Sequence, residues 1–346
     1  MFSVENCRIF GQITTGMKPK ATLKNISSML GISISTVSRA LSDHPDISMA
    51  TKQKVRELAE MLDYEPNSYA VYLRTNASKV LGLIVPEISN NFYDSVISAM
   101  EEEARKAGYS LLILQSGNDP VMEQAAIRLC KYNRAAGIFI ALSSSTRDIS
   151  HYQKLEENGI HMVFVDKVPD EGNFDRVAMN DTRSATLAAE ALLTRAPKRI
   201  LALFGAREFS ITRKREQAFS EYVKAHSSST LDIRHVPDRS SAREETMQAL
   251  GAPDRPDAMF CMSDEILTGA IKAVQHSGIR VPEQLSIVSI SNGYIPTLFH
   301  PEITYVETSG RALGLKAFEA MMNHLNGLHE PVSVEVPVRL VEGRSL

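Results

Sequence analysis

The sequence predicts a small all-α unit with a helix-turn-helix, followed by an α/β core of two lobes, each built on a doubly wound parallel sheet. Short amphipathic helical patterns occupy the stretch from Thr22 to Leu62. From Val80 onward, short apolar runs alternate with amphipathic segments of helical length, which is typical of a parallel sheet covered by helices on both faces. Roughly 265 residues of this pattern exceed one domain of ordinary size, so we expect two lobes.

The composition is that of an ordinary globular protein. Of 346 residues, 43% are hydrophobic and 23% are charged. No run of about 18 apolar residues predicts a membrane-spanning helix, and the first residues lack the basic start and apolar run of a secretory signal. Cys7, Cys130 and Cys261 show no metal-binding or redox spacing. We therefore expect a cytoplasmic protein without a metal or cofactor.

The net charge of −3 conceals an uneven distribution of charge. Residues 18–79 carry nine Lys or Arg against six Asp or Glu, whereas the rest of the chain carries 29 basic and 35 acidic side chains. Because residues 18–79 are basic and the rest of the chain is acidic, we expect only residues 18–79 to bind a polyanion.

The stretch from Thr22 to Leu62 predicts three helices. Gly31 ends the first, Ser33 caps the second over 34–41, and Ser48 caps the third. The turn of three or four residues between the first two helices is typical of a helix-turn-helix. The side chains expected to face inward are Leu23, Ile26, Met29 and Leu30 in the first helix, Val37, Ala40 and Leu41 in the second, and Val55, Leu58, Ala59 and Leu62 in the third.

The second of these helices, in GISISTVSRALSDHP, is dense in Ser and Thr. These residues are mediocre helix formers, because their hydroxyls compete for backbone groups. In a helix-turn-helix this helix enters the DNA major groove, where small hydroxyls donate to phosphates and Arg39 can read a guanine through two hydrogen bonds. The alternative is a surface helix with incidental serines.

Three motifs carry a resemblance to a known family: TVSRAL, the IS…T…V…A…L.Y.PN pattern after it, and LGLIVPEISNNFY at the start of the α/β region. Together they resemble the LacI/GalR family of bacterial transcription regulators, over nearly all of the chain after residue 20. The resemblance implies a DNA-binding headpiece at 18–65, a hinge helix and linker at 66–79, and a periplasmic-binding-protein-like core at 80–346. The first lobe is expected at about 80–180 and 310–330, the second at about 181–309 and 331–346, and residues 1–17 as a disordered extension.

The resemblance also implies which headpiece residues contact DNA. Ile34 is apolar, so it can touch a thymine methyl group but cannot hydrogen-bond to a base. Relatives often carry Asn where this chain has Ser42, which makes that contact the weakest match. The matched base-reading positions are Ile34, Ser35 and Arg39, and the matched phosphate positions are Ser33, Thr36, Ser38 and Ser42.

The family's hinge helix falls on 67–74, which begins with Asn67. By resemblance it orders on the operator, where two copies pair and insert Leu73 into the minor groove as a wedge that bends the duplex. Val71 and Tyr72 depart from the family's ALARSLR pattern, which weakens phosphate contact and favours apolar pairing between the two hinges. The alternative is that Leu73 packs under the headpiece.

A ligand is expected between the two lobes, because ligands of open α/β sheets bind at the carboxyl ends of the strands. Phe92 and Tyr93 can stack on a sugar face or a flat ring, or can simply begin a core helix. Asp264 either contacts the ligand or caps the helix that follows it. The full set implied by the resemblance is Phe92, Tyr93, Asp166, Arg215, Asp264 and Ser291.

Ser291 is the main departure from the family in this set. Relatives carry a carboxylate there that grips hydroxyls. This chain lacks that carboxylate but keeps Arg215, whose charge Asp166 offsets in part. The combination favours an effector that needs fewer hydroxyl contacts or is more anionic, such as a sugar phosphate or a sugar acid.

The phosphate-binding GxxxxGK[ST] motif and the nucleophile motif GxSxG are both missing, so we expect no enzyme. The prediction is a homodimeric regulator, a repressor, that binds a pseudo-palindromic double-stranded operator. A small-molecule sugar or sugar derivative between the lobes would shift the population of DNA-binding states, and both signs of response stay open. The alternative, a periplasmic-type sugar-binding protein, is disfavoured by the headpiece and by the expected lack of a signal peptide.

Overall fold

The computed structural model of the protein describes residues 21–64, 78–143, 146, 148–169, 172–328 and 330–346. The chain divides into two compact units, the first ending at Ala77 and the second beginning at Ser78. The expected extension at 1–17 lies outside the described residues, and so do residues 66–77 of the expected hinge and linker, including Asn67 and Leu73.

The described part of the first unit contains the helices α1 (Leu23–Leu30), α2 (Ile34–Leu41) and α3 (Met49–Met61). Each begins at a hydroxyl whose oxygen accepts a backbone N–H of the first turn: Thr22, Ser33 and Ser48. Gly31 ends α1 in the left-handed region, at φ +66°, which glycine adopts without steric cost. The three predicted helices of the helix-turn-helix are present.

All three helices contribute to the core of this unit. Ile26, Val37, Ala40 and Val55 are fully buried. Met29, which was expected to face inward, is instead 61% exposed. The apolar stripe of α1 is narrower than the sequence indicates, because it follows the row of Leu23, Ile26 and Leu30 and leaves Met29 at its edge.

The second unit is built on two six-stranded sheets. Its strands are β1 (Val80–Val85), β2 (Ser110–Gln115), β3 (Gly137–Ile140), β4 (His161–Val165), β5 (Asp175–Met179), β6 (Arg199–Phe204), β7 (Thr230–His235), β8 (Ala258–Cys261), β9 (Ser286–Ser291), β10 (Thr304–Glu307), β11 (Ser333–Val336) and β12 (Arg339–Val341). The first sheet has the order β11-β5-β4-β3-β1-β2 and is parallel throughout. The second has the order β12-β10-β9-β8-β6-β7 and is parallel except for β10 with β12.

Helices cover both faces of the first sheet. The α-helices described in the second unit, over both lobes, are α4 (Asn91–Lys106), α5 (Pro120–Tyr132), α6 (Ser150–Glu157), α7 (Asp181–Leu193), α8 (Ser210–His226), α9 (Arg239–Gly251), α10 (Asp264–Ser277) and α11 (Gly310–Leu325). Leu83 of β1 packs in the cluster formed with α4 and α11, whereas the next residue, Ile84, packs in the cluster formed with α5 and α6. Burial on both faces explains why β1 is a continuous apolar run. The predicted fold of two doubly wound lobes is confirmed.

The chain passes between the lobes three times, after β5, after β10 and after β11. The last passage corrects the expectation that 331–346 belongs wholly to the second lobe. Ser333–Val336 pairs with β5 in the first sheet, so the chain enters the second lobe only with Arg339–Val341. Each of these strands is four residues or fewer, and only their pairing assigns them to a sheet.

The carboxyl ends of β1, β4, β6, β8 and β9 place their following loops in the region between the two lobes. Among the described residues, no helix combines the length and apolar character needed to cross a membrane.

Candidate DNA-binding surface and effector cleft

The exposed side of α2 carries most of the side chains expected to contact DNA. Ser33, Ile34, Ser35 and Arg39 are exposed, and Ile34 presents 47% of its surface despite being apolar. Thr36 and Ser38 are half-buried. The described residues form no ion pair with Arg39, so its guanidinium is available to an outside partner.

Hydrogen bonds within α2 organise its hydroxyl groups. The Ser33 hydroxyl lies 2.7 Å from that of Ser35 and 2.8 Å from that of Thr36. The Ser42 hydroxyl donates to the Ser38 carbonyl over 2.8 Å. These are exchangeable contacts between small groups, and a phosphate oxygen can replace them without rearranging the backbone.

The turn after α2 is held by a cluster that the sequence did not reveal. Asp43, at φ +56°, accepts from Lys52 over 3.1 Å and from Arg56 over 2.8 Å. Hydrogen bonds and charge from Lys52, with a smaller effect of Arg56, hold the pKa of the Asp43 carboxyl below its usual value. Two of the five basic residues described in this unit therefore fix the turn, which leaves Lys24, Arg39 and Lys54 as exposed cations.

The second unit has a cavity of about 190 Å³ between its two sheets. It opens at the carboxyl ends of the strands, where ligands of open α/β sheets bind. The six residues implied by the sequence come from separate loops, and all of them line this cavity: Phe92, Tyr93, Asp166, Arg215, Asp264 and Ser291.

The wall from the first lobe centres on Asp166. This residue follows β4 at φ +59°, in the left-handed region that Asp tolerates better than most residues. Its carboxylate accepts the Tyr93 hydroxyl over 2.6 Å. Burial and the nearby Asp166 charge raise the pKa of Tyr93 well above its usual value. Tyr93 is thus both a core residue and a cleft residue, while Phe92 packs edge-on against it at 5.6 Å between ring centroids.

Lys167, adjacent to Asp166, is a cleft residue that the sequence did not single out. Its ammonium lies 4.0 Å from the centre of the Phe209 ring, on the other lobe, and 3.1 Å from the Asn118 side-chain oxygen. No described carboxylate forms an ion pair with it. Burial lowers the pKa of Lys167 to about 8. The cleft therefore holds a partly desolvated cation that touches both lobes.

Arg215, on the wall from the second lobe, is paired with a carboxylate that the sequence did not reveal. Its Nε and Nη2 lie 2.8 and 2.7 Å from the same oxygen of Asp181, and its Nη1 donates to the Met262 carbonyl over 2.9 Å. Arg215 and Asp181 are each 6% exposed. The sequence indicated that Asp166 offsets the charge of Arg215 in part, but the carboxylate that pairs with Arg215 directly is Asp181. Two of its five N–H groups remain available to a ligand.

Asp264 occupies the place in the cleft where the sequence indicated a lost carboxylate. The Ser291 hydroxyl donates to one of its oxygens over 2.5 Å, and the Asn292 backbone N–H donates to the other over 3.1 Å. Burial raises the pKa of Asp264, and these two bonds oppose that rise. Asp264 does not cap α10, since the Ser263 hydroxyl accepts the Ile266 N–H there.

Asn292, beside Ser291, connects the two lobes. Its amide donates to the Asn91 carbonyl over 3.1 Å and to the Ser95 hydroxyl over 2.7 Å, and its oxygen accepts the Gly310 N–H over 2.9 Å. Asn292 follows a strand of the second sheet, whereas its three partners lie on α4 and α11 of the first lobe.

Two family models match the chain. The one described as "Bacterial regulatory proteins, lacI family" matches residues 22–67, and "Periplasmic binding proteins and sugar binding domain of LacI family" matches residues 78–343. This chain belongs to the LacI family. The resemblance found in the sequence is confirmed, and the two matched segments coincide with the helical unit and the two-lobed unit described above.

Curated LacI-family relatives match over nearly their whole length. The HTH-type transcriptional repressor PurR of Photobacterium profundum is 27% identical over 331 residues, which cover 94% of this chain and 98% of that repressor. PurR of Vibrio atlanticus is 26% identical, covering 93% of this chain and 97% of its own length. These relatives are transcriptional repressors.

Among solved structures, the Lac repressor dimer bound to operator and the anti-inducer ONPF has a TM-score of 0.84 at 22% identity, covering 94% of this chain and 99% of that one. A putative ribose operon repressor from Burkholderia thailandensis has a TM-score of 0.68 at 27% identity and covers 77% of this chain. The likeness to the first confirms the fold, a helical headpiece with a helix-turn-helix followed by a two-lobed α/β core.

Proposed function

We propose that this LacI-family regulator is a homodimeric repressor of a pseudo-palindromic operator, controlled by a small polyhydroxylated effector that carries an anionic group. One observation supports this most strongly. A single chain combines an exposed hydroxyl and arginine surface on α2 with a cavity that gathers polar side chains from both lobes of the core. The proposal includes the cytoplasm as the place of action, since a repressor of this family acts on bacterial DNA.

The DNA contacts divide by chemistry. Arg39 reads a guanine edge, Ser35 contacts a base edge, and Ile34 meets a thymine methyl group. Small hydroxyls on the same surface donate to phosphates and set the register. Asn67 and Leu73 belong to the proposed hinge, with Leu73 as the wedge in the minor groove. The phosphate-contacting set is Ser33, Thr36, Ser38 and Ser42.

The proposed effector class rests on the polar groups of the cleft that can still form further hydrogen bonds or ion pairs. Asp166 and Asp264 offer acceptors for hydroxyls, and the free N–H groups of Arg215 offer donors. Lys167 forms no ion pair with a described carboxylate, and the nearby Asp166 charge opposes only in part the lowering of its pKa by burial. A desolvated ammonium gains most from an anion, so a sugar phosphate or a sugar acid fits better than a neutral sugar, with Lys167 in the role that the sequence assigned to Arg215.

The effector acts by shifting populations. Lys167 and Asn292 already bridge the lobes, so a ligand that replaces or strengthens these bridges changes the relative stability of open and closed cores. The closed state alters how the two hinges of a dimer pair on DNA.

A pH-resolved titration tests the effector class. Sugars, sugar phosphates and sugar acids are first screened for thermal stabilisation of the wild-type protein. The affinity of each hit is then measured by calorimetry. Because Lys167 loses its proton near pH 8, affinity for an anionic hit should fall about tenfold between pH 7 and pH 9.

Lys167→Arg is the matched control, since it keeps the charge across this range and should remove the pH dependence. Lys167→Met should bind anionic hits weakly at every pH. If only neutral sugars stabilise the protein, and Lys167→Met binds them as tightly as the wild-type protein does, the effector is not anionic.

A further inference from the structure

His161, Asp175 and His324 meet at the amino-terminal edge of the first sheet, away from the effector cleft. His161 begins β4, Asp175 begins β5, and His324 lies in the last turn of α11. One donor atom from each of the three side chains lies within 4.8 Å of the others. His161 and Asp175 are 7% and 3% exposed, while His324 is half-buried and leaves a route from solvent.

A second layer of groups orients two of these side chains. His161 Nε2 lies 2.7 Å from Asp175 Oδ2, and its Nδ1 lies 3.3 Å from Glu156 Oε1. The other oxygen of Asp175 accepts the Val332 N–H over 2.6 Å. In metal sites, a ligating imidazole usually donates its second N–H to a carboxylate, and ligating carboxylates are held by further hydrogen bonds. Glu156 and the Val332 N–H hold these positions.

The charges of the cluster call for a cation. The His161 and His324 rings stack with centroids 3.3 Å apart and planes 6° apart. Asp175 and Glu156 supply two negative charges around a buried histidine. A divalent ion balances both carboxylates while leaving the imidazoles neutral.

We propose that His161, Asp175 and His324 bind one divalent transition-metal ion of the Zn²⁺ type, with Glu156 as the carboxylate that orients His161. Two imidazole nitrogens and one carboxylate oxygen suit zinc and exclude magnesium or calcium, which prefer oxygen ligands alone. Zinc ligands at about 2 Å from the ion lie roughly 3.3 Å apart, so the three donor atoms, now within 4.8 Å of one another, would approach and the half-buried His324 ring would turn out of its stack with His161 to face the ion. A solvent molecule completes the coordination on the His324 side.

The ion would tie the last turn of α11 to the first residues of β4 and β5. His161 is in register with Gly137, which is in register with Leu81 of β1. The site therefore lies at the same end of the first sheet as the first residues of β1.

Metal binding to the full chain, stripped of metal by a chelator, tests the site. Co²⁺ is titrated and followed by its visible d–d bands, whose intensity reports four-coordinate geometry, and Zn²⁺ then displaces it. We expect one tight ion per chain and a higher melting temperature with Zn²⁺. Glu156→Gln should weaken binding about 10- to 100-fold without removing it.

His324→Gln removes one of the three proposed ligands at a half-buried position. This variant should lose the tight Co²⁺ signal, while circular dichroism should show that its fold is intact. His276→Gln is the matched control, because His276 is an exposed histidine of the second lobe. The proposal is overturned if no saturable binding occurs, or if His324→Gln and His276→Gln bind the ion as tightly as the wild-type chain. Neither result bears on the operator or the effector.

Discussion

Arg39 is the residue on which DNA sequence preference should depend. Its guanidinium is exposed on α2 and has no ion-pair partner among the described residues. Arg39→Ala should lower operator affinity by ~1–3 kcal/mol and relax the preference at one base pair per half-site. Titration of the operator and of single-base variants measures both effects.

Lys24→Ala provides the comparison for Arg39→Ala, because Lys24 is an exposed cation of the same unit. If Lys24 meets only phosphate, its removal should weaken all DNA sequences alike and reduce the salt dependence. Equal losses on operator and random DNA for Arg39→Ala would contradict its base-reading role.

Arg215 should matter for stability as well as for the effector. Arg215→Ala leaves the Asp181 carboxylate buried without its partner, which should cost ~3–5 kcal/mol of core stability. Effector binding should be lost in the same variant, because the free N–H groups of the guanidinium are lost with it. Denaturant unfolding and calorimetry separate the two effects.

The double variant Arg215→Met with Asp181→Leu distinguishes pairing from ligand contact. Removing both charges should restore most of the stability, since an apolar pair of similar volume often replaces a buried ion pair without loss. Effector binding should stay absent. Restored binding in the double variant would exclude a direct contact between Arg215 and the effector.

At the scale of elements, the packing of α11 against α4 positions one side of the cleft. A Cβ on Gly310 would lie 2.4 Å from the Phe92 carbonyl oxygen, and one on Gly314 would lie 2.9 Å from the Val96 carbonyl oxygen. Backbone atoms cannot yield at such distances, so Gly310→Ala must push the two helices apart. The same shift would move Phe92 and lengthen the bond from the Gly310 N–H to Asn292.

Gly310→Ala should therefore cost about 1–3 kcal/mol of stability, as overpacking does, and weaken effector binding. Thermal unfolding and effector titration measure the two effects. Gly251→Ala is the control, since a Cβ there meets nothing within 4 Å, and it should be neutral or slightly stabilising. If Gly310→Ala is as stable as the wild-type protein, α11 and α4 do not pack closely enough at Gly310 to exclude a Cβ.

The strands show which elements the sequence could predict. The runs VLGLIV, SLLILQ and RILALF coincide with β1, β2 and β6, and four other apolar runs mark β3, β4, β8 and β9 to within a residue or two. The sequence did not reveal β5, β7, β10, β11 or β12. In β5 buried residues alternate with half-buried ones, whereas β7 has only half-buried and exposed residues. β7 lies at an edge of its sheet, where only part of its surface is covered, so its sequence, TLDIRH, carries polar residues and resembles a loop.

At the scale of the whole molecule, the cleft could be predicted from topology but not in detail. Parallel strands bring their carboxyl ends together, which is why residues from separate loops were expected at one site. The pairings of Arg215 with Asp181 and of Asn292 with Ser95 join residues 34 and 197 positions apart. No local pattern marks such pairs, because each residue alone is an ordinary surface type. Lys167 is equally unmarked in the sequence, since its contact with the Phe209 ring joins residues that lie on different lobes.

The division of the chain after Ala77 leads to a prediction about the complete regulator. The second unit has its own hydrophobic clusters on both sheets, so the fragment 78–346 should fold by itself and bind the effector. Without DNA, its dissociation constant for the effector should equal that of the full chain, because no described headpiece residue lines the cleft. Calorimetry on both proteins makes this comparison.

Operator DNA should change the effector affinity of the full chain but not that of the fragment 78–346. Coupling between two binding sites is reciprocal, so the factor by which the effector changes operator affinity must equal the factor by which saturating operator changes effector affinity. A coupling of 1–3 kcal/mol corresponds to about 5- to 150-fold, which titrations in both directions can resolve. The full chain should show equal factors, and the fragment should show no effect of operator at all. If saturating operator leaves effector affinity unchanged in the full chain, the cleft does not control DNA binding, whatever ligand it holds.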